Sequence, residues 1–325
     1  GEASVVTATD NSWTTTTLTG MALGGSPSST LSAAVSIGDT KFTTPSAGLF
    51  GATVTIEGET LTIRTAGNGS APYTYYTTTA FTAAHASGVA VTGSNATGLG
   101  VAPTVIVADS MNPGSAVPVP VYVCGDSISS GVGNYVVPQS SAITSALDTA
   151  VRPFVSVAKA GESAQQFADL VTSRRRRVLM TLSGWIFFTY GVNDIYGSRT
   201  LSQVQADTTT ILTWARNRGL KVAMTTLTPR TTSTDQWITT GNQTIVGSGS
   251  FNVVRLGYNA WVRAGAGGLA DLVVELADAT ETARDSGVWK ADAAGPYTAD
   301  GIHPSYSGYE LLMKPVITTA LTSMV

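Results

Sequence analysis

Two histidines occur in this 325-residue chain, and one of them, His303, lies in the Asp-Gly-Ile-His-Pro segment at residues 300–304. Far upstream, a strand-like run ends in Gly125-Asp126-Ser127. A serine hydroxyl becomes a useful nucleophile only when a base accepts its proton, and imidazole suits that task near neutral pH. The carboxylate of Asp300, three residues before His303, could hold the other ring nitrogen. These residues therefore predict nucleophilic catalysis by Ser127 with His303 as its base.

Two further blocks lie between these segments. Residues 156–161 read as a short strand that delivers Gly161 into a loop, and residues 185–194 read as a buried strand that ends in Gly191-Val192-Asn193-Asp194. The four blocks, in this order and spacing, resemble the SGNH hydrolases, also called the GDSL esterase/lipase family. The resemblance covers roughly the last two hundred residues. Ile128 stands where the family often has Leu, which is a conservative apolar change.

The resemblance implies a role for each motif residue. Ser127 would be the nucleophile, His303 the general base, and Asp300 the carboxylate that fixes the imidazole and stabilises its charged form. The oxyanion hole would consist of the backbone N–H groups of Ser127 and Gly161 and the side-chain amide of Asn193. A glycine at position 161 would let the backbone approach the substrate closely.

Other candidate residues favour structural interpretations. Asp126 and Asp194 flank the site residues and are expected to hold loops through hydrogen bonds. Cys124 is the only cysteine, so it can form no intrachain disulfide, and a buried core position is expected for it. For residues 174–177, four consecutive arginines, we expect a solvated helix end, with contact to an anionic surface or polymer as the alternative.

Composition excludes several function classes. Charged residues make up 12% of the chain and the net charge is −3, which gives no electrostatic basis for nucleic-acid binding. No apolar run approaches the ~20 residues needed to span a bilayer, and we expect that any leader peptide has been removed or never existed. The catalytic half has a single histidine and no cysteine cluster, so we expect no metal site. The first strand of this half is followed by Gly-Asp-Ser-Ile rather than by the Gly-x-Gly-x-x-Gly fingerprint of a dinucleotide site, and we expect no cofactor.

Strand-like and helix-like runs alternate in the second half of the chain. The predicted strands are residues 119–124, 155–158, 185–190, 220–225 and 272–276, and the predicted helices are residues 142–151, 163–173, 202–218, 252–264 and 307–322. This alternation predicts an α/β fold with a parallel sheet and helices on both faces, which the family resemblance makes a three-layer α/β/α domain of the SGNH type. Catalytic groups gather at the carboxyl ends of the strands in such folds.

The first part of the chain has a β pattern instead. Residues 39–44, 52–57 and 59–64 read as strands, Gly58-Glu59 as a hairpin turn and residues 65–70 as a turn. Four motifs, at residues 31–35, 38–40, 56–59 and 81–85, resemble small β modules of bacteriophage tail and baseplate proteins, which implies an accessory or attachment role. His85 belongs to the last of these motifs and is expected to be structural. We predict a small all-β domain at residues 1–112, with a linker at about 96–117, and a hydrolase domain at residues 113–325. Because all four blocks lie in the latter, the β domain is expected to be dispensable for chemistry.

The function expected from these features is serine ester hydrolysis, with O-acetyl groups on a bacterial surface or extracellular polysaccharide as the first substrate. One alternative is a secreted esterase or lipase for small or lipid esters. The other is a non-catalytic binding or structural component of a phage tail. The expected location is extracellular or on a virion, where other tail proteins would be partners. Four aromatic side chains could stack on sugar rings or simply pack: Tyr196, Trp237, Trp289 and Tyr297.

Overall fold

Two separate β-sheets organise the chain. The computed structural model describes residues 28–45, 53–66, 71–93, 118–137, 140–247 and 250–324. A six-stranded antiparallel sheet forms from the N-terminal part, and a five-stranded parallel sheet forms from the C-terminal part. The predicted linker and the domain boundary at residue 112 lie outside the described residues.

The N-terminal sheet contains β1 (Ser28–Thr30), β2 (Lys41–Thr44), β3 (Thr53–Ile56), β4 (Glu59–Ala66), β5 (Tyr73–Thr77) and β6 (Ala90–Gly93). Their order in the sheet is β1-β6-β3-β4-β5-β2. The three predicted strands are thus present. Their hairpin turn lies one residue earlier than predicted, at Glu57 and Gly58, because Ile56 pairs with Glu59. Both turn residues have positive φ, 47° and 90°, as a two-residue hairpin turn of type I′ requires.

The first two residues of the turn predicted at residues 65–70 belong to a strand instead. Thr65 and Ala66 continue β4, and residues 67–70 lie outside the described part of the chain. We call residues 28–93 the β module. Alternate strand residues such as Val54, Ile56, Leu61 and Val91 fill its core, which is the pattern expected of a sheet with one buried face.

The C-terminal sheet is parallel throughout. Its strands are β7 (Val121–Gly125), β8 (Phe154–Ser156), β9 (Trp185–Thr189), β10 (Lys221–Thr225) and β13 (Leu272–Val274), in the order β13-β10-β9-β7-β8. All five predicted strands are therefore confirmed. Every residue of β7 and β9 is buried, which requires cover on both faces of the sheet. A short hairpin, β11 (Thr231–Ser233) with β12 (Gln243–Ile245), was not predicted.

Helices supply that cover and complete the three-layer α/β/α domain. They are α1 (Ala142–Thr149), α2 (Ala164–Ala168), α3 (Leu170–Val178), α4 (Val192–Tyr196), α5 (Leu201–Arg216), α6 (Phe251–Arg263), α7 (Leu276–Thr280) and α8 (Lys314–Leu321). Helix α1 packs on α8, while α5 packs on both α2 and α6. Short 3₁₀ helices occupy Leu179–Leu182 and Ala266–Gly268, and a π-helix, Gly308–Met313, leads into α8.

Three predicted elements have different bounds. The helix predicted at residues 163–173 is broken at Asp169, whose extended backbone ends α2 and whose side chain caps α3 by accepting a hydrogen bond from Val171 N. The strand predicted at residues 272–276 ends at Val274 because Leu276 begins α7. The helix predicted at residues 307–322 begins with the π-helix rather than as one continuous α-helix.

The arginine run lies in α3 and its last turn, as predicted, but it is not solvated throughout. Arg176 donates two hydrogen bonds to the buried Glu162 carboxylate. Arg177 is only 4% exposed, donates to the carbonyl of Phe167 and lies 4.1 Å from the centre of the Trp214 ring. The interpretation of a solvated helix end is therefore wrong for these two arginines.

Two single features agree with expectation. Cys124 is fully buried in the middle of the core, as predicted. In the stretches of chain that the structure describes, no helix is both long enough and apolar enough to cross a membrane.

Candidate active site

Ser127 follows β7 directly, at the carboxyl edge of the parallel sheet. Gly125 ends that strand, and a Cβ atom there would clash with the Thr189 hydroxyl of the neighbouring strand, so only glycine fits. After it, the chain turns sharply: Asp126 Oδ1 accepts a hydrogen bond from Ile128 N at 2.9 Å, and Ser127 O accepts one from Val132 N at 3.0 Å. This turn holds the serine at the sheet edge.

His303 reaches the serine from the opposite end of the sequence. Its Nε2 lies 2.8 Å from Ser127 Oγ, and its Nδ1 lies 2.7 Å from Asp300 Oδ2. Because a carboxylate oxygen faces Nδ1, that nitrogen carries the ring proton, and Nε2 is left to accept the proton of the serine hydroxyl. The structure therefore brings together Ser127, His303 and Asp300, the three residues that the sequence analysis proposed as nucleophile, base and carboxylate.

Hydrogen bonds from backbone N–H groups to the Asp300 side chain stabilise the short turn from Asp300 to His303. Asp300 Oδ1 accepts hydrogen bonds from Ile302 N at 2.9 Å and from His303 N at 2.7 Å. Gly301 has a φ of +82°, and a Cβ there would meet the carbonyl of Thr231 and the ring of Trp237. Glycine is required at this position for both reasons.

Burial alone would raise the pKa of Asp300, but the hydrogen bonds and positive charge that His303 supplies hold that pKa below its usual value. Hydrogen bonding prevails because the Asp300 side chain remains 43% exposed, so desolvation is incomplete. The carboxylate is therefore ionised under the conditions in which His303 would act as a base.

Gly161 and Asn193 lie in the loops after β8 and β9. Gly161 has a φ of +78°, and a Cβ there would point into open space. The left-handed backbone conformation at this position favours glycine, and the sequence alone did not reveal this reason. Asn193, in the first turn of α4, donates from Nδ2 to the carbonyl of Glu162 at 2.9 Å. An amide NH₂ has two hydrogens, so the second remains available to an oxyanion. Within the described chain, the backbone N–H groups of Ser127 and Gly161 have no acceptor.

The two flanking aspartates hold loops, in agreement with the sequence-based interpretation. Asp194 accepts from Ala164 N at 2.8 Å and from Gln165 N at 3.0 Å, which ties α4 to the start of α2. Asp126 is fully buried, and its Oδ2 has no hydrogen-bond partner in the described structure. Burial raises the pKa of the Asp126 carboxyl to about 7, with smaller opposing contributions from the Ile128 N–H and from His303.

Sequence reasoning missed Glu162. Its buried carboxylate accepts hydrogen bonds from Arg176 and, at 2.6 Å, from Tyr190 OH, while its carbonyl receives the Asn193 amide. Glu162 therefore fixes both the loop that carries Gly161 and the orientation of Asn193. The only sequence signal was its position directly after that glycine, fourteen residues before Arg176.

The four aromatic candidates differ in their surroundings. Trp289 is fully buried and donates from Nε1 to Gly301 O at 3.0 Å, so it packs under the histidine turn and cannot stack on a ligand. Trp237 donates to Thr231 Oγ1 at 2.9 Å, and its ring lies against Gly301. Tyr297 donates to Asp292, and the exposed Tyr196 has the guanidinium of Arg230 over its ring at 4.2 Å.

A cavity of about 20 Å³ lies behind the nucleophile turn. Its lining includes Ile128, Thr189, Val192 and Leu227 but not Ser127 itself. A space of this size holds about one water molecule. It cannot take a long acyl chain without rearrangement.

His85, the other histidine, belongs to the β module and makes its hydrogen bonds there. Its side chain is 3% exposed, and its two ring nitrogens each lie 2.8 Å from a carboxylate, Nδ1 from Glu57 and Nε2 from Glu59. Among the described residues, no group of three histidine, cysteine, aspartate or glutamate side chains is placed to hold a metal ion.

Comparison with protein families identifies the C-terminal part of the chain. The family model of the GDSL-like lipase/acylhydrolase family matches residues 123–311, which is more than half of the chain. The chain therefore belongs to this family of serine hydrolases that act on ester bonds. No curated protein matches the sequence.

Several solved structures resemble the chain. One, described as a lipolytic protein of the G-D-S-L family from Desulfitobacterium hafniense DCB-2, is 17% identical with a TM-score of 0.48, and the match covers 62% of this chain and 99% of that one. A lipolytic G-D-S-L family member from Veillonella parvula DSM 2008 is 20% identical, with a TM-score of 0.47 and coverage of 62% and 98%. A variant of an acetyl-xylooligosaccharide esterase from Geobacillus Stearmophilus is 13% identical, with a TM-score of 0.46 and coverage of 64% and 95%.

Proposed function

We propose that this acylhydrolase uses Ser127 as its nucleophile, removes short O-acyl groups, acetyl first, and acts on a bacterial surface or extracellular polysaccharide. The observation that carries the catalytic assignment is the unbroken hydrogen-bonded series from Ser127 Oγ through His303 to Asp300, at 2.8 Å and 2.7 Å. A general base must lie within hydrogen-bond reach of the proton that it removes, and His303 Nε2 does.

The reaction follows from this geometry. Ser127 Oγ attacks the ester carbonyl carbon while His303 Nε2 takes its proton, and Asp300 stabilises the imidazolium that results. The carbonyl oxygen becomes an anion, to which the N–H groups of Ser127 and Gly161 and the Asn193 amide donate. Collapse of this intermediate breaks the ester C–O bond, and the leaving alcohol takes the proton from His303. A water molecule then repeats the sequence and releases the acid from the serine.

The surface beside the histidine turn supports a polar leaving group. The hairpin that borders the histidine turn is polar, and its Thr231 N donates to Gly301 O at 3.0 Å. Beyond it, Asp235 accepts hydrogen bonds from Thr239 and Asn242 on the surface. A lipid would meet a hydroxyl-rich surface here, whereas a sugar could exchange hydrogen bonds with it.

The test is a series of 4-nitrophenyl esters from acetyl to dodecanoyl, followed by acetate release from a panel of acetylated glycans. We expect kcat/KM to fall steeply as the acyl chain lengthens and Ser127→Ala to be inactive at an unchanged melting temperature. A maximum at long chains would favour the alternative of a lipase for lipid esters. No hydrolysis of any ester would favour a non-catalytic tail component.

For the location and partners, we propose an extracellular or virion-attached enzyme whose β module contacts other tail proteins. Support comes from the low content of charged residues, 12%, and from the presence of a separate antiparallel sheet before the hydrolase domain. Immunodetection in purified virions and in culture supernatant tests this proposal. Detection in the cell interior alone would overturn it.

A further inference from the structure

The β module contacts the hydrolase domain at the segment that carries His303. Arg64, in β4, forms an ion pair with Asp292, and its carbonyl accepts a hydrogen bond from Ser307 Oγ at 3.1 Å. These two contacts lie on either side of His303 in sequence. Between them, Gly295 lies so close to the module that a Cβ there would approach Thr65 and the Tyr76 ring.

A second contact involves the loop that follows the nucleophile. Val136 is only 1% exposed and belongs to the hydrophobic core of the β module, although it lies just nine residues after Ser127. Tyr135 and Tyr306 pack against the same core. The module thus completes its own core with side chains from the hydrolase domain.

The loop of Val136 also touches the catalytic histidine. A Cβ built on Gly133 would lie 2.8 Å from His303 Cβ and 2.5 Å from Pro304 O, so the backbone there is packed directly against the histidine segment. Three residues apart in this loop, Gly133 therefore lies against the His303 segment and Val136 lies in the core of the module. Any displacement of the module moves at least one neighbour of the histidine.

We propose that the β module is a positioning element of the active site, and that Val136 and Arg64 are positioning residues that hold His303 in line with Ser127. This inference rests on the proposed role of His303 as the base. It replaces the expectation that the module is dispensable for chemistry. Misplacement of a catalytic group by about 1 Å can cost about 100-fold in rate, so a loosened contact on this face is enough to matter.

The primary test compares two equally buried valines of the same core in the full chain. Val136→Ala loosens the contact with the hydrolase domain, whereas Val91→Ala, in β6 at 0% exposure, removes the same atoms inside the module alone. Both should lower the melting temperature of the module similarly. Only Val136→Ala should lower kcat for 4-nitrophenyl acetate, by about 10-fold or more, with KM little changed.

A second pair tests the ion pair without making a cavity. Arg64→Met removes the contact with Asp292 but keeps an apolar stem, and Lys41→Met is its control at an exposed position of the same sheet. In both pairs, the rate at which a fluorophosphonate probe labels Ser127 provides a further readout, since labelling depends on the base that activates the serine. We expect slower labelling in Val136→Ala and Arg64→Met and unchanged labelling in the controls.

The outcomes separate the two proposals. If the unmodified chain hydrolyses no ester and the probe does not label Ser127, the proposed function fails. If the unmodified chain is active and Val136→Ala and Arg64→Met match their controls in kcat and labelling rate, the positioning role of the module is refuted. Equal losses of kcat in Val136→Ala and Val91→Ala would likewise refute it, because the effect would then follow general stability.

Discussion

Substitution of Asp300 by asparagine tests the site most directly, because the backbone dictates how the new amide must lie. The N–H groups of Ile302 and His303 both donate to Oδ1, at 2.9 Å and 2.7 Å. The amide oxygen of the introduced asparagine can accept these bonds and its NH₂ group cannot, so the NH₂ group is left facing His303 Nδ1. Nδ1 must then accept, and the ring proton moves to Nε2.

A histidine protonated on Nε2 cannot accept the proton of Ser127. We therefore expect Asp300→Asn to lower kcat by about 10⁴-fold, the loss typical of an imidazole held in the wrong tautomer. Asp300→Ala should be less damaging, because the ring can then choose its tautomer and water can reach Nδ1 at a side chain that is already 43% exposed. The structure thus predicts that the smaller chemical change is the more harmful one.

The assay is steady-state hydrolysis of 4-nitrophenyl acetate near neutral pH, with melting temperatures to exclude unfolding. Asp169→Asn is the matched control, since it makes the same charge change at the N-cap of α3, where asparagine caps a helix equally well. If Asp300→Asn keeps more than about a tenth of the activity, or if it is clearly more active than Asp300→Ala, the tautomer argument is wrong.

Three further predictions concern single groups. Asn193→Ala should lower kcat by about 10²–10³-fold with little change in KM, and steady-state kinetics that show a change in KM alone would remove it from the oxyanion hole. Asp126 has a folded-state pKa of about 7, raised mainly by burial, so the folded protein holds this proton more tightly than the unfolded chain. The free energy of unfolding should therefore fall by at most about 4 kcal/mol as pH rises from about 4 to about 7. Urea unfolding of Asp126→Asn should not show this fall, and identical pH dependence in the two proteins would contradict the prediction. Hydrogen bonds that His85 donates to Glu57 and to Glu59 raise the pKa of His85, so its contribution to stability is complete below the ordinary value of 6.5 and is lost as pH rises through the folded value. His85→Gln should flatten that dependence without changing kcat, and hydrogen exchange of residues 53–66 and 71–93 at several pH values measures it.

The sequence predicted the catalytic half well because its signals are local. β9 reads Trp-Ile-Phe-Phe-Thr, which is the continuous apolar run expected of a strand covered on both faces, and Gly191 marks where it stops. Because parallel strands end at one edge, motifs placed after β7, β8 and β9 had to meet there. From this topology alone, Ser127, Gly161 and Asn193 are predicted to lie at one edge of the sheet.

What the sequence did not predict depends on tertiary context. The β11–β12 hairpin has strands of three residues and threonine-rich polarity, so it has no hydrophobic periodicity to detect. Asp169 interrupts a pattern that otherwise reads as one helix, since its side chain competes for backbone N–H groups. Arg176 looked like a surface cation because its partner, Glu162, is brought to it by folding. The contact of the β module with the histidine segment joins residues that are 228 and 243 positions apart, and no local pattern reports such a pairing.

These long separations also determine when the site can be completed. During synthesis the β module emerges well before Asp292 and Ser307, which it binds and which lie 228 and 243 positions after Arg64. Ser127 and His303 are themselves 176 positions apart, so the serine is present long before its base. Closing loops of this length is slow compared with forming the local helices and hairpins. A nascent chain therefore carries Ser127 without the base proposed for it until His303 has been made and has folded against it.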